Sequence, residues 1–270
     1  SLTNLTIPDG ITTINGSMFT GCKKITSITI PDSVTSIGNS AFANCSKLSK
    51  INIPDGVTSI GDSAFAGCKK ITSIVIPEGV TSIGDSAFTR CSGLTRVTLP
   101  AGMTGIGYSM FSECSSLVDI TLPASVTSIG DHAFDECSSL TSITLPDGLT
   151  SIGNDAFADC SSLSELVLPG SVTDIGEYAF SACSSLSEIV IPDSVTNLSR
   201  YAFEKCSSAL VAYLPANLKT VPAHLFSDCY SLQIVFLPAS VTKIAEYAFS
   251  GCDSLTEIYY LGNEEQLNEI

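Results

Sequence analysis

Cysteine is the reactive residue type with the most regular spacing in this chain. Eleven cysteines occur in 270 residues, each 23 residues after the previous one: Cys22, Cys45, Cys68, Cys91, Cys114, Cys137, Cys160, Cys183, Cys206, Cys229 and Cys252. If these units stack, neighbouring thiols lie about 4.8 Å apart with parallel Cα–Cβ bonds, whereas a disulfide needs converging ones. The odd number, and the lack of a C-x-x-C motif with histidine, also argue against full pairing and against zinc. The spacing predicts a ladder of buried, reduced thiols and no cofactor.

The other residue types that could do chemistry do not form a site of any reaction class. His132 and His224 occupy the same position of units four repeats apart, roughly 20 Å, so they cannot share one proton transfer. No G-x-S-x-G elbow or triad order surrounds a serine, and no glycine-rich phosphate loop follows a strand. Adjacent carboxylates such as Asp135 and Glu136 are typical of a solvated surface. We therefore predict that the protein is not an enzyme.

The 23-residue period defines the elements that must position every side chain. In the unit from Leu48 to Lys70, apolar residues recur at positions one, four and six, which are Leu48, Ile51 and Ile53. The spacing of two places Ile51 and Ile53 on one face of an extended strand. Pro54 at position seven ends the strand because proline lacks an N–H for the ladder. A fixed period of this length is typical of a solenoid whose units contact only their neighbours.

The second half of each unit is predicted to turn back into the core. In the same unit, Val57 and Ile60 point inward. Gly61 is expected to supply either a positive φ or close packing between units. The Ala-Phe-x-x-Cys segment that closes the unit is predicted to form a single helical or 3₁₀ turn, since it is too short for an independent helix.

The full pattern, L-x-x-I-x-I-P-x-x-V-T-S-I-G-x-x-A-F-x-x-C, resembles the BspA-like leucine-rich-repeat proteins of bacterial and protozoan surfaces over essentially the whole chain. It lacks the asparagine that follows the strand in the most familiar leucine-rich repeat. Gly56, Ser33 or Gly79 stands there, so we expect the Ser/Thr-rich turn to satisfy the backbone instead. The resemblance implies a right-handed solenoid with a parallel β-sheet on the concave face and short turns or 3₁₀ segments on the convex face. It also implies an exported, secreted or cell-surface protein associated with adhesion to host proteins or other cells.

The repeat divides the chain into two expected parts. Residues 1–260 form about eleven repeats, and residues 261–270 are predicted to form a C-terminal capping helix, with Asn263 and Gln266 in a capping box. The chain begins directly on a repeat without an N-terminal lid, so we expect it to be a segment of a longer protein whose signal and anchor lie elsewhere.

One unit departs from the pattern. Ala209 and Ala212 replace large aliphatic residues, whereas Leu225 replaces the usual alanine. We interpret this as volume compensation inside one rung. Pro222 replaces the usual glycine of the same unit, and it predicts a local distortion of the outer edge.

Charge is unevenly distributed along the chain. The net charge is −15, which argues against nucleic acid as a partner. Residues 97–199 contain thirteen Asp/Glu and no Lys/Arg, whereas residues 1–96 contain eight Lys/Arg and six Asp/Glu. The acidic middle is either a solvated face or, alternatively, a site for a cation or a basic partner. No apolar run approaches the roughly 20 residues that span a membrane, so we expect no membrane insertion in this segment.

The side chains at positions three and five of each strand should point away from the core. They are mostly small and polar in the first half, such as Ser142 and Thr144, and become apolar or aromatic toward the C-terminus. The predicted binding residues are Val167, Val190, Val211, Tyr213, Ile234, Phe236 and Tyr259, flanked by Glu165, Glu188 and Glu257. An exposed apolar patch is typical of an interaction site. The alternatives are stacking that only stiffens the sheet and contact with a neighbouring domain.

Two functions follow from this surface. The first is an exported or cell-surface adhesion module that binds an extracellular protein, such as a host matrix or plasma protein, through the concave sheet. The second is a structural spacer or stalk that presents a neighbouring domain and has no ligand. Carbohydrate is a weaker alternative ligand because the chain has no tryptophan.

Overall fold

The structure is a computed structural model that describes residues 3–263, and these residues contain strands and turns but no helix. Most 23-residue units form one rung with a longer strand and a two-residue strand. The unit that contains residues 165–167 lacks the longer strand, and in one unit the longer strand, Lys50–Ile51, has only two residues. The longer strands are β1 (Asn4–Thr6), β3 (Ser27–Thr29), β5 (Lys50–Ile51), β7 (Ser73–Val75), β9 (Arg96–Thr98), β11 (Asp119–Thr121), β13 (Ser142–Thr144), β16 (Glu188–Val190), β18 (Val211–Tyr213), β20 (Ile234–Leu237) and β22 (Glu257–Tyr260). The short strands are β2 (Thr13–Ile14), β4 (Ser36–Ile37), β6 (Ser59–Ile60), β8 (Ser82–Ile83), β10 (Gly105–Ile106), β12 (Ser128–Ile129), β14 (Ser151–Ile152), β15 (Asp174–Ile175), β17 (Asn197–Leu198), β19 (Thr220–Val221) and β21 (Lys243–Ile244).

All strand pairs are parallel, and each residue pairs with the residue 23 positions later. Leu5 pairs with Ile28, and Tyr213 pairs with Phe236. The longer strands form four sheets, β1-β3-β5, β7-β9, β11-β13 and β16-β18-β20-β22, which together we call the long-strand ladder. The short strands form a second parallel ladder, which the sequence analysis described only as an inward turn. The predicted parallel solenoid of about eleven repeats is confirmed.

The core is a set of side-chain columns that run through the rungs. The phenylalanine rings from Phe19 to Phe249 stack at centroid distances between 5.2 and 6.3 Å. Nine of the eleven cysteines are buried, and all eleven are free thiols. The Sγ of Cys68 donates to the backbone oxygen of Phe42 at 3.2 Å, and the same bond recurs from rung to rung. The predicted ladder of buried, reduced thiols is confirmed, with two half-buried members, Cys22 and Cys252, at its ends.

The Ala-Phe-x-x-Cys segments form turns, so the predicted helical or 3₁₀ conformation is wrong. The reason lies in the alternation of their hydrogen bonds. The N–H groups of Ala43 and Cys45 bond within the rung, to oxygens three residues earlier, whereas those of Phe42 and Asn44 bond to oxygens of the next rung. A continuous 3₁₀ helix would need every N–H to bond within the segment.

Polar columns satisfy the backbone where the familiar asparagine is missing. The hydroxyl of Thr58 donates to the Thr35 oxygen at 3.2 Å, and further threonines repeat this bond, as the expected Ser/Thr-rich turn requires. A second column was not foreseen. Oδ1 of Asn39 accepts from the N–H of Asp62 at 3.0 Å, and Oδ1 of Asp62 accepts from the N–H of Asp85 at 3.0 Å.

The glycine that follows the short strand is required for close packing. A Cβ at Gly61 or Gly84 would clash with the backbone of the preceding rung, and neither glycine has a positive φ. The left-handed conformation occurs instead at two other positions of the rung, mostly in non-glycine residues such as Ser63 (φ 52°) and Glu136 (φ 57°). Their N–H groups bond to the next rung, which offsets a conformational cost of about 1–2 kcal/mol per residue.

The irregular unit is packed as the sequence predicts, with a distortion around it. Ala209, Ala212 and Leu225 are all fully buried. The rings of Phe203 and Phe226 are 6.3 Å apart and tilted by 29°, the largest values in the column, and Phe226 directly follows Leu225. Of the predicted capping helix, only residues 261–263 lie within the described part, so that prediction stays untested.

Candidate interaction surface

The predicted binding residues lie on the outer face of the last strands of the long-strand ladder. Strand pairing aligns Val211 with Ile234, and it aligns Tyr213 with Phe236 and then with Tyr259. Alternation along each strand turns Ala212 and Val235 into the core, which leaves the neighbouring positions outside. The structure therefore brings Val211, Tyr213, Ile234, Phe236 and Tyr259 together on one surface, which we call the aromatic stripe.

The three rings of the aromatic stripe form a continuous stack. The centroids of Tyr213 and Phe236 are 4.6 Å apart with nearly parallel planes, and those of Phe236 and Tyr259 are 5.2 Å apart. Tyr213 and Tyr259 are 37% and 48% exposed, whereas Phe236 between them is half-buried. Stacking of this kind contributes about 0.5–1.5 kcal/mol per pair beyond burial.

The remaining predicted residues extend the surface toward the middle of the chain. Val190 pairs with Tyr213 and Glu188 pairs with Val211, so both adjoin the stripe. Glu165 and Val167 lie in a segment that forms no strand, next to a gap in the ladder between β13 and β16. Val167 is 80% exposed, and shallow grooves of about 300 Å³ run on either side of it. This part of the surface is less regular than the stripe.

Leu210 is an exposed apolar residue that the sequence analysis missed. It directly precedes Val211, and it is 47% exposed. Ser187 and Gln233 occupy the same position of the neighbouring rungs. A comparison of position two across the repeats would have revealed the leucine as an exception that enlarges the apolar surface.

A second aromatic column lies at the turn that follows the short strands. The rings of Tyr178, Tyr201, His224 and Tyr247 stack at 4.5, 4.4 and 4.9 Å. All four residues have left-handed φ values, and the guanidinium of Arg200 lies over the Tyr201 ring while it bonds to Glu177 at 2.9 Å. The sequence analysis placed His132 and His224 at this repeat position, but it did not note the tyrosines that share it.

The two histidines have different surroundings although they occupy the same repeat position. The Nδ1 of His132 lies 3.4 Å from Asp135, and its Nε2 lies 3.9 Å from Asp155. Burial raises the pKa of Asp135 to about 6, against an opposing effect of His132. His224 lies within the second aromatic column instead. The two rings therefore have different partners, in line with the expectation that they cannot share one proton transfer.

The thiols are unsuited to nucleophilic chemistry or metal binding. Burial raises the pKa of Cys45 to about 11 and that of Cys252 to about 12, so these thiols are protonated at neutral pH. Within residues 3–263, no group of three or more His, Cys, Asp and Glu side chains is arranged to hold a metal ion. No helix long and apolar enough to cross a membrane was found in that part of the chain.

Comparison with known proteins places the chain in a family. The BspA type leucine-rich repeat region model (6 copies) matches residues 1–118, 58–183, 104–233 and 150–270, so its matches span the whole chain. The chain belongs to the BspA-type leucine-rich-repeat family, and this confirms the resemblance seen in the sequence. The family and its fold are generally non-enzymatic, and leucine-rich-repeat proteins generally bind other proteins.

Solved structures agree with this assignment. A leucine-rich cell surface protein from Faecalibacterium prausnitzii is 33% identical, with a TM-score of 0.62 over 100% of this chain and 82% of that one. A leucine-rich repeat protein from Bacteroides ovatus is 31% identical, with a TM-score of 0.59 over 95% of this chain and 86% of that one. The pneumococcal vaccine antigen PcpA shares the fold at 20% identity, with a TM-score of 0.53 over 97% of this chain and 89% of that one. No curated protein sequence matched the chain.

Proposed function

We propose that this chain is an exported or cell-surface recognition module that binds an extracellular protein through the aromatic stripe. The observation that carries the proposal is the exposed stack of Tyr213, Phe236 and Tyr259 beside Val211 and Ile234. A cell-surface location is supported by the name of the Faecalibacterium relative.

A rung can fold without the aromatic side chains of the stripe. The rungs from β3 to β13 have the same core and carry mostly polar residues such as Thr29, Thr121 and Thr144 at the equivalent position. Aromatic residues dominate the energetic centres of protein interfaces. Because the aromatic surface is restricted to a few rungs, contact with a partner explains it better than a general requirement of the fold does.

The charge beside the stripe favours a partner with basic groups. Glu188 pairs with Val211, Glu257 pairs with Ile234, and both carboxylates are exposed. Among residues 3–263, neither takes part in an ion pair. We expect these carboxylates to orient a partner that places apolar side chains on the rings and lysine or arginine at the rim.

The stacking geometry makes a sugar ligand less suitable. A sugar would stack on an open ring face. Both faces of Phe236 are covered by its neighbours, at 4.6 and 5.2 Å. The central ring of the stripe thus presents only its edge, which suits an irregular protein surface better than a pyranose.

The test is surface plasmon resonance of the purified chain against a panel of extracellular-matrix and plasma proteins. The double variant Tyr213→Ser/Phe236→Ser removes two of the three stacked rings of the stripe, and circular dichroism checks its fold. The matched control Thr121→Ser/Thr144→Ser changes two outward side chains of β11 and β13, which are paired strands of the same ladder.

Three outcomes are distinguishable. Binding that the stripe variant loses and the control retains would support the proposal. Equal binding by all three proteins would show that another surface makes the contact. No binding to any protein of the panel would favour the spacer interpretation.

A further inference from the structure

The edge of the solenoid at the cysteine turns carries charge in a separated pattern. We define the cysteine-turn edge as the residues directly before each cysteine and one or two positions after it. Asn44, Gly67, Lys69, Arg90 and Glu113 line one surface groove of about 410 Å³, so these positions share one edge. From Cys22 to Cys229, the residue before the cysteine donates its N–H to the next rung, which keeps the edge in register.

The rungs of this edge from Cys22 to Cys91 are basic, and the three rungs from Cys114 to Cys160 are acidic. The basic residues are Lys23, Lys24, Lys47, Lys69, Lys70 and Arg90, all exposed. The acidic residues are Glu113, Glu136 and Asp159. The two blocks meet where Nε of Arg90 lies 2.8 Å from Oε1 of Glu113. Within the described residues, the five lysines, Glu136 and Asp159 are not in an ion pair.

The two blocks are spaced so that the edge is complementary to itself. Relative to the rung of Cys91, Lys69 and Lys70 lie one rung before and Glu113 one rung after. Lys47 and Glu136 lie two rungs away on opposite sides. Lys23, Lys24 and Asp159 lie three rungs away, at about 14 Å if strand spacing is about 4.8 Å. A two-fold axis through the Cys91 rung would place each of the five lysines opposite a carboxylate. Arg90 lies at the axis itself and keeps its ion pair with Glu113 of its own chain.

We propose that two copies of this chain associate antiparallel through the cysteine-turn edge. In a two-fold interface, residue i of one copy contacts residue j of the other and the reverse contact also forms. Lys47 of one copy then faces Glu136 of the second, and Lys23 and Lys24 face Asp159. The edge is narrow and its charges are solvated, so the dimer is a weak, salt-sensitive one.

The first measurement is sedimentation velocity at low salt and at about 1 M salt, where the Debye length falls to about 3 Å. We expect a concentration-dependent dimer at low salt that dissociates at high salt. A chain that stays monomeric at low salt throughout a wide concentration range would overturn the proposal.

Charge reversal on each block gives a sharper test. Lys47→Glu/Lys70→Glu and Glu136→Lys/Asp159→Lys should each weaken the homodimer by at least about tenfold. In a mixture of the two variants, the reversed position 47 of one faces the reversed position 136 of the other, so the mixture should dimerise more strongly than either variant alone. The control Lys219→Glu/Lys243→Glu changes the net charge as much as the first variant does, at exposed positions off the edge, and it should still dimerise.

Other outcomes would overturn the proposal. A dimer that neither variant affects would place the contact elsewhere. If the monomer binds heparin and only the lysine variant loses that binding, the lysines serve a polyanion instead. None of these variants alters Tyr213 or Phe236, so failure here leaves the proposed function intact.

Discussion

Two columns of stacked rings in this molecule share the 23-residue spacing in sequence but have different surroundings. The phenylalanine column runs through the core in every rung, and most of its rings are fully buried. The aromatic stripe stacks at 4.6 and 5.2 Å on the outer face of three rungs only. The comparison separates two uses of stacking. A column present in every rung belongs to the fold, whereas a local, exposed column needs an explanation from function.

The largest expected effect on stability comes from a substitution that interrupts the phenylalanine column. Phe134 stacks between Phe111 and Phe157 at 5.6 and 5.2 Å and is fully buried. Phe134→Ala removes a buried ring and leaves a cavity, so we expect a loss of about 3–5 kcal/mol in unfolding free energy. Urea denaturation measures it, and an unchanged midpoint would contradict the packing of the core.

The equivalent substitution in the aromatic stripe should lower the unfolding free energy by a smaller amount. Phe236→Ala removes two stacking contacts, worth about 0.5–1.5 kcal/mol each, from a ring that is only half-buried. We expect a loss of about 1–3 kcal/mol in the same urea experiment. If Phe236→Ala lowers the unfolding free energy as much as Phe134→Ala does, the stripe serves mainly to stabilise the fold, and the spacer interpretation is strengthened.

A third prediction compares two alanines in the turns. Ala182 has a left-handed φ of 56°, so Ala182→Gly should relieve strain and stabilise the protein by about 0.5–1 kcal/mol. Ala158, one rung earlier, is buried and is not among the residues with positive φ. Ala158→Gly should destabilise by about 0.4–1 kcal/mol because glycine is more flexible when unfolded. Thermal or urea unfolding with the same sign for both variants would contradict this view of the turns.

The smallest expected effect is a pH dependence of stability that arises from Asp135, in the rung that contains His132. Burial raises the pKa of Asp135 from 3.8 to about 6, so the folded state holds this proton more tightly than the unfolded state. The resulting stabilisation is complete below pH 3.8 and is lost as pH rises through about 6. His132, Glu136 and Asp155 are the charged groups that act on this carboxyl.

Asp135→Asn tests this dependence because the amide stays neutral. The difference in unfolding midpoint, wild type minus variant, should decrease between pH 4 and pH 7. An NMR titration of the Asp135 carboxyl gives an independent value. A midpoint difference that does not change with pH would show that the site does not hold a proton more tightly when folded.

Much of the fold was predictable because the repeat states the same information eleven times. Leu48, Ile51 and Ile53 are spaced as a strand requires, and each copy confirms the interpretation. The turn after Ala64 was predicted incorrectly because its hydrogen-bond acceptors belong to the next rung, as the bond from Phe65 to the Ala87 oxygen shows. Local sequence cannot indicate whether an N–H bonds within a turn or between rungs.

The candidate surface was predictable to a similar degree. Period two along each strand placed Tyr213 and Phe236 outside, and the structure agrees. The gap in the long-strand ladder beside Val167 was not foreseen, because it depends on how two rungs pack rather than on either rung alone. Ser63 and Glu136 in left-handed turns were also unexpected, since glycine is the usual residue there.

The sequence by itself determined the period, the inward positions and the identity of the outward side chains, because hydrophobic burial acts at every repeat in the same way. Only the tertiary structure decided what those side chains meet. Stacking of rungs joined Tyr213 to Phe236 and Tyr178 to Tyr201, and it aligned Arg90 with Glu113. Residues 23 apart become neighbours only when a rung has another rung to pack against, and therefore surface columns are a property of the stack.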